Sequence, residues 1–145
     1  WAGLTLDESQ VIQYSNKFSE LVVNKVINAD WVPGVEEVLR SNFSKQKFVL
    51  ISATPDDELK FIVESLNLTN CFDLIFGSSI SKSDAMLKSL NLLNENPKNC
   101  LMIGDALADY EASKINNIEF ILRQHDTNDK MNKIHSGIKI KNFLN

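Results

Sequence analysis

Four short apolar runs, separated by longer stretches with a helical period, constrain the fold of this chain more than any other feature. The runs are KFVLIS (47–52), FDLIFGS (72–78), CLMIG (100–104) and IEFIL (118–122). Continuous apolar runs of this length are typical of strands that are buried on both faces of a parallel sheet. Strands that alternate with helices over short connections predict an α/β fold, Rossmann-like, with helices on both faces of a mostly parallel sheet.

The stretches between and before these runs predict the helices. In residues 7–28, one apolar stripe recurs at three- and four-residue steps; it consists of Val11, Tyr14, Phe18, Leu21, Val22 and Val26. Thr54 is the expected N-cap of a helix that follows the first strand, with Pro55 in its first turn. Two more helices are expected over 83–94, with Met86, Leu87, Leu90 and Leu93 inward, and over about 106–116. The tail HSGIKIKNFLN predicts a short strand and a terminal turn.

Polar side chains follow the first three strands at the point where each strand ends. Ser52 and Ala53 follow the first strand, Lys82 lies in the loop after the second, and Asp105 and Asp109 follow the third. Ligands of such sheets bind beyond the carboxyl ends of the strands. The chain therefore brings a hydroxyl, an amine and two carboxylates to one edge of the sheet.

These groups together are typical of a phosphate and Mg²⁺ site. A hydroxyl beside free backbone N–H groups binds anions, and a lysine adds positive charge for phosphate oxygens. Two neighbouring carboxylates repel each other unless a cation lies near them, and Mg²⁺ prefers oxygen ligands of this kind. Each residue alone has a simpler interpretation: Ser52 as a turn residue, Lys82 as a surface lysine, Asp105 as a helix N-cap and Asp109 as an exposed helical acid.

The order of these residues resembles the haloacid dehalogenase (HAD) superfamily, in its phosphoglycolate-phosphatase-like branch. Ser52 after VLI, Lys82 one strand later and then LMIGDALAD look like the second, third and fourth motifs of that family. NADWVPGVEEVL is similar to the return from a helical cap into the core. The resemblance implies a HAD-like core over 31–145 and a remnant of the cap over 1–30, with the helix of 7–28 as the last cap helix.

The resemblance also implies a role for each residue. Ser52, with the N–H of Ala53, would bind the transferring phosphoryl group, and Lys82 would hold the phosphoryl oxygens and the nucleophile together. Asp105 would ligate Mg²⁺, and Asp109 would either support the metal or pair with Lys82. The implied activity is that of a Mg²⁺-dependent phosphatase acting on a small phosphorylated metabolite.

One part of the family pattern is absent from the sequence. The nucleophile of the family is the first aspartate of a DxD motif on the central strand, and no DxD occurs in these 145 residues. In the family that strand lies between the strand ending at Ser52 and the one ending at Gly104, so two strands here would face a gap with unpaired backbone groups. We therefore expect these residues to be an inactive piece of a longer enzyme.

Other functional classes stay open or fit less well. A non-catalytic relative that binds an anion or a partner protein would also lack the nucleophile. Dehalogenases share the fold but need no metal. Receiver domains carry their acids before the lysine, and a nicotinamide enzyme would need a GxGxxG motif after its first strand, which is absent.

Composition adds further expectations. The net charge is −4 and the basic residues are scattered, which argues against a nucleic-acid partner. No apolar run approaches the roughly 18 residues of a membrane span, and no signal peptide is visible. The two cysteines, Cys71 and Cys100, have no metal-ligand spacing and predict buried free thiols in a reducing cytoplasm.

Overall fold

The computed structural model describes residues 7–144, and it has the predicted α/β architecture. The described residues form six α-helices and five strands. In chain order these are α1 Glu8–Ile27, α2 Val35–Asn42, β1 Val49–Ile51, α3 Asp56–Ser65, β2 Leu74–Phe76, α4 Lys82–Leu93, β3 Leu101–Gly104, α5 Leu107–Ile115, β4 Glu119–Arg123, α6 Asp129–Ile134 and β5 Lys139–Ile140. Within this part of the chain, no helix is both long and apolar enough to cross a membrane.

All strand pairs are parallel, but the strands form two separate sheets. β1 pairs with β2, with Ile51 opposite Phe76, and β3–β4–β5 form a second sheet in that order, with Gly104 opposite Leu122. Across residues 7–144, no ladder joins β1 to β3. The division lies between the strand before Ser52 and the strand ending at Gly104, where the resemblance locates the strand that this sequence lacks.

Each sheet has a hydrophobic core of its own. Around β1 and β2 the buried side chains are Leu59, Val63, Leu68 and Cys71; around β3 and β4 they are Phe120, Leu122 and Met131. The helices α4 and α5 pack against each other and connect the two sheets, because α4 also contacts β1 and α5 contacts β3 and β4. The side-chain amide of Asn116 strengthens this link, because it donates to the backbone oxygen of Ser83 at 3.0 Å.

The first helix forms where the sequence predicts it. Its N-cap is Asp7, whose carboxylate accepts the N–H of Gln10 at 2.8 Å while the Gln10 side chain accepts the N–H of Asp7 at 3.1 Å. This reciprocal capping box satisfies two N–H groups that have no partner inside the helix. Residues 1–6, the start of the predicted cap remnant, lie outside the described residues, and the division at residue 30 stays a prediction.

The apolar stripe of α1 is exposed. Its six members have exposed fractions between 37% for Val22 and 69% for Phe18, and among the described residues of the helix only Val23 is buried. Helix α1 does contact α3, and in this contact the Ser19 hydroxyl donates to the Glu58 carboxylate. The three- and four-residue spacing of the apolar residues therefore predicted the helix correctly, although no described residue covers the stripe.

Three local predictions are wrong. Pro55, not Thr54, is the N-cap of α3, because the Thr54 hydroxyl bonds to Ser52 instead of to the helix. Leu87 was expected to point inward but is 52% exposed. Cys100 was expected to be buried but is only partly so, whereas Cys71 is buried.

Helix α6 was not predicted. It has only six residues, and a helix of this length is too short to show an apolar period in the sequence. Only Met131 of the six is buried. The short strand expected in the tail forms as β5.

Candidate active site

Two glycines allow the strand ends to pack closely against the loops that carry polar groups. A Cβ at Gly77, after β2, would lie 2.7 Å from the backbone oxygen of Thr54. A Cβ at Gly104, the last residue of β3, would lie 2.5 Å from Cβ of Asp109. Both separations are too short for a side chain, so glycine at these positions lets the neighbouring loops approach the sheet edge.

The first strand ends in a turn that presents a hydroxyl. The N–H of Ser52 donates to the oxygen of Phe76 at 2.9 Å and extends the pairing of β1 with β2 by one bond. The Ser52 hydroxyl donates to Oγ1 of Thr54 at 2.9 Å and accepts the N–H of Thr54 at 3.1 Å. The N–H of the exposed Ala53 makes no hydrogen bond to any described residue. A fixed hydroxyl beside a free N–H is suited to bind an anion.

A carboxylate that the sequence analysis did not single out ties the first two loops together. Asp56 accepts the N–H of Gly77 at 3.1 Å and the N–H of Ser79 at 3.2 Å. A hydrogen bond from the Ser79 side chain is the largest cause that lowers the pKa of Asp56; the two N–H groups lower it further, against the desolvation of the carboxylate. Asp56 therefore sets the position of the β2–α4 loop relative to the β1–α3 loop.

Lys82 is the first residue of α4 and points at Asp109. Its ammonium contacts the Asp109 carboxylate, with 23% of the lysine side chain and 4% of the aspartate side chain exposed. The second oxygen of Asp109 accepts the N–H of Ala106 at 3.0 Å, at the start of α5. Both oxygens of Asp109 are therefore engaged. The alternatives of a solvated surface lysine and an exposed helical acid are wrong.

Asp105 lies in a different environment, although it is only four residues away. Its side chain is 56% exposed, and its Oδ2 lies 2.9 Å from Nε2 of His125. No described residue donates a hydrogen bond to Oδ1. The helix begins after Ala106, which is its N-cap, so the alternative of Asp105 as the N-cap is wrong.

The structure brings some of the predicted residues into contact and leaves others apart. Lys82 contacts Asp109, one of the two roles that the resemblance implied for that acid. Ser52 makes no hydrogen bond to Lys82, Asp105 or Asp109 in the described part of the chain. The roles of these residues toward a phosphoryl group or a metal stay predictions.

Sequence reasoning missed His125 and Asn128, which both lie beyond the end of β4. Asn128 is buried, and its side-chain amide donates to the backbone oxygens of Arg123 at 2.8 Å and Asp105 at 3.2 Å. Ligands of parallel sheets bind beyond the carboxyl ends of the strands. The same rule, applied to the fourth strand as well as to the first three, would have included Gln124 and His125.

The side chains of the candidate site fit Mg²⁺ through a single carboxylate, that of Asp105. Among residues 7–144, no group of three or more His, Cys, Asp or Glu side chains could hold a metal. Each oxygen of the buried Asp109 already accepts a hydrogen bond, whereas Oδ1 of the exposed Asp105 accepts none from the described residues. Mg²⁺ in proteins usually keeps several waters and takes one or two carboxylates plus phosphate oxygens, so a single open carboxylate suits it.

Comparison with known proteins gives a consistent picture. Residues 5–115 match the family described as haloacid dehalogenase-like hydrolase. A phosphoglycolate phosphatase of Aquifex aeolicus is 34% identical over 97 residues, which are 63% of this chain and 46% of the relative. This chain thus aligns with about half the length of that curated relative.

Solved structures share the fold. A haloacid dehalogenase-like family hydrolase from Streptococcus pneumoniae superposes with a TM-score of 0.70 at 19% identity, over 94% of this chain and 68% of that chain. A β-phosphoglucomutase from Clostridium difficile superposes with a TM-score of 0.69 at 22% identity, over 95% and 63% of the two chains.

Proposed function

The chain belongs to the haloacid dehalogenase-like hydrolase family, and we propose from this premise that its full-length form is a Mg²⁺-dependent phosphatase. The substrate class is a small phosphomonoester, and the reaction proceeds through an aspartyl-phosphate. One observation carries the proposal: the buried Asp109 holds the Lys82 ammonium, while Ser52 and Asp105 follow the carboxyl ends of β1 and β3. The similarity to a phosphoglycolate phosphatase supports the substrate class.

In this proposal, each residue acts on the charge of the phosphoryl group. The Ser52 hydroxyl and the Ala53 N–H donate to phosphoryl oxygens, and the Lys82 ammonium stabilises negative charge there. Asp109 keeps Lys82 in place, so a long and flexible side chain need not be ordered when substrate binds. Fixed donors of this kind stabilise charge that develops in the transition state.

Asp105 is the residue that would hold Mg²⁺. The bound ion would neutralise charge on the phosphoryl oxygens. Asp105 is suited to this because its side chain is more than half exposed and its Oδ1 accepts no hydrogen bond from the described residues.

The nucleophile has to come from outside these residues, since the sequence has no DxD motif. The proposed chemistry needs two aspartates on one strand. The first attacks phosphorus and displaces the alcohol, which takes its proton from the second. The second aspartate then takes a proton from water, which attacks phosphorus, breaks its bond to the first aspartate and so releases phosphate. Among the described residues, no strand pairs with the second edge of β1 or of β3. This supports a strand at this position, because a strand between them would join the two sheets into one.

The test is Mg²⁺-dependent phosphate release from an aryl phosphate by the full-length protein. We expect Asp105→Asn to abolish turnover and Lys82→Ala to lower it by about 100-fold or more, the size found for loss of one transition-state donor. Lys98→Ala, which removes an exposed lysine of no assigned role, is the matched control. Undiminished turnover in the Asp105 and Lys82 variants would refute the assignment. Turnover by the 145 residues alone would refute the external nucleophile.

A second candidate is a non-catalytic relative that binds an anion or a partner protein. The missing DxD motif favours it, and so does the exposed apolar stripe of α1. The coding sequence upstream of Trp1 separates the two candidates. An apolar strand ending in DxD supports the phosphatase, and a start codon immediately before Trp1 supports the binding module.

A further inference from the structure

The loop after β4 makes contacts with Asp105 that nothing in the proposed reaction explains so far. His125 follows β4 by two residues, and its Nε2 lies 2.9 Å from Oδ2 of Asp105. The two residues are twenty positions apart in the chain, so the contact depends on how β3 and β4 pair. The imidazole is partly buried, with 26% of the side chain exposed, whereas the carboxylate is 56% exposed.

The other ring nitrogen of His125 is also engaged, and its partner defines the tautomer. The backbone N–H of Thr127 donates to Nδ1 at 3.3 Å, and the Thr127 hydroxyl lies 2.9 Å from the same atom. A backbone N–H can only donate, so Nδ1 has to be the acceptor nitrogen of the ring. The proton of the neutral imidazole is then on Nε2, where it points at Asp105.

Asn128 holds the loop after β4 in place. Its Nδ2 donates to the backbone oxygens of Asp105 and Arg123, at the ends of two neighbouring strands, and its Oδ1 accepts the N–H of His125 at 3.1 Å. An asparagine that precedes a helix usually bonds to the first N–H groups of that helix. Asn128 precedes α6 but makes no such bond, because its side chain is used between the strands and the loop.

We propose that His125 is a positioning residue for Asp105, with Thr127 setting its tautomer and Asn128 setting its backbone. His125 holds Oδ2 and leaves Oδ1 without a hydrogen bond from any described residue. The carboxylate therefore offers one oxygen in a fixed orientation instead of rotating freely in solvent. The inference rests on the proposed function, since it concerns the carboxylate that would bind the cation. Carboxylate ligands oriented by a second hydrogen bond are common at metal sites, and loss of the orienting partner typically lowers metal affinity about 10- to 100-fold.

The first experiment tests the contact without any metal. Long-range ¹H–¹⁵N spectra of the full-length protein should show His125 as the tautomer protonated on Nε2. Thr127→Val, which keeps the backbone N–H, should keep that tautomer, and Asp105→Asn should shift the Nε2 resonance. A ring protonated on Nδ1, or an average of the two tautomers, would overturn the proposal.

The second experiment tests positioning, with Mn²⁺ as the probe, by titration of the same protein. We expect His125→Ala to weaken Mn²⁺ binding by about 10-fold and His125→Gln, whose amide can still donate to Oδ2, to restore most of it. Asp126→Ala is the matched control, because Asp126 is the exposed neighbour of His125 and makes no contact with Asp105. Thermal melts of all variants show whether a loss of affinity is a loss of folding instead.

The outcomes separate the inference from the proposed function. If the wild-type protein binds Mn²⁺ and His125→Ala binds it equally well, the positioning role is wrong and the phosphatase proposal stands. If the alanine and glutamine variants lose affinity only in proportion to a lower melting temperature, the role is structural and the inference is again wrong. If the wild-type protein binds no cation and releases no phosphate, the proposed function fails, and the positioning role fails with it.

Discussion

The two sheets of the molecule contribute to the candidate site in different ways. On the β1–β2 side, defined as β1, α3 and β2, the Ser52 hydroxyl is held within its own turn, and the N–H groups of Gly77 and Ser79 are held by Asp56 from another loop. On the β3–β5 side, defined as β3, α5, β4, α6 and β5, they are two carboxylates, each held by a side chain from a distant element. The Ser52 hydroxyl thus depends on a local turn, whereas both carboxylates of the β3–β5 side depend on contacts with residues at least twenty positions away.

Among the described residues, the link between the two sides includes the packing of α4 on α5, the hydrogen bond from Asn116 to Ser83, and the ion pair of Lys82 with Asp109. The N–H of Phe143, after β5, also donates to the oxygen of Pro33, before α2, at 2.8 Å. Each side has a core of its own. This comparison predicts that the two sides respond separately to changes in their cores and jointly to changes in the link.

The largest expected effect comes from the cores. Leu122 on the β3–β5 side is completely buried, and Leu59 on the β1–β2 side is 5% exposed. Leu122→Ala should lower the free energy of unfolding by about 4 kcal/mol and Leu59→Ala by about 3 kcal/mol, through lost burial and the cavity left behind. Because the cores are separate, the double variant should equal the sum within about 0.5 kcal/mol in urea unfolding.

The control for this prediction is Ile115→Ala, since Ile115 is 69% exposed and its loss should cost less than about 0.5 kcal/mol. A coupling between Leu122 and Leu59 above about 1 kcal/mol would mean that the molecule has one continuous core.

The next effect tests the link. Lys82→Ala leaves the buried Asp109 carboxylate without its cation, which should cost about 2 kcal/mol of stability, less than for a fully buried pair because Lys82 is 23% exposed. Adding Asp109→Asn should recover part of the loss, since no buried charge then lacks a partner. Urea unfolding of the two variants and of Lys98→Ala measures this. If Lys82→Ala costs no more than the control, the ion pair contributes nothing to the link.

A smaller effect concerns the loops of the β1–β2 side at low pH. The pKa of Asp56 is lowered in the folded protein, so its carboxylate contributes stability above the ordinary aspartate pKa and loses it as the pH falls through the lowered value. The amide ¹⁵N resonances of Gly77 and Ser79 should therefore move together with a midpoint below the ordinary pKa of 3.8. Asp56→Asn should abolish the shift, and Asp57→Asn should preserve it. A midpoint at or above 3.8 would contradict the contact.

The smallest expected effect is on the thiol reactivity of two cysteines, Cys71 on the β1–β2 side and Cys100 immediately before β3. Burial, and then the charge of Glu95, raise the pKa of the Cys100 thiol, and Lys47 opposes them. Cys100 should therefore react with a thiol reagent at neutral pH more slowly than a free thiol, because less of it is thiolate. Cys71, which is buried, should react only when the β1–β2 side opens. Glu95→Gln should speed the reaction of Cys100 alone; equal acceleration of both would show that the two sides open together.

Much of the fold could be predicted because its signals are local. The helix of 7–28 and the four apolar runs all appear within a few residues of the predicted positions, since period and capping depend on neighbours in the chain. The misses concern which partner a side chain bonds to and whether another element covers the face of a helix. Thr54 bonds to Ser52 rather than capping α3, and the apolar stripe of α1 finds no cover among the described residues.

The sequence alone determined which chemical groups follow the strand ends, since each strand is defined by a local run of apolar residues. It could not determine the state of those groups. Asp105 and Asp109 look alike in the sequence, yet one is exposed beside His125 and the other is buried against Lys82. That difference was decided by the pairing of β3 with β4 and the packing of α4 on α5, because each contact joins residues at least twenty positions apart.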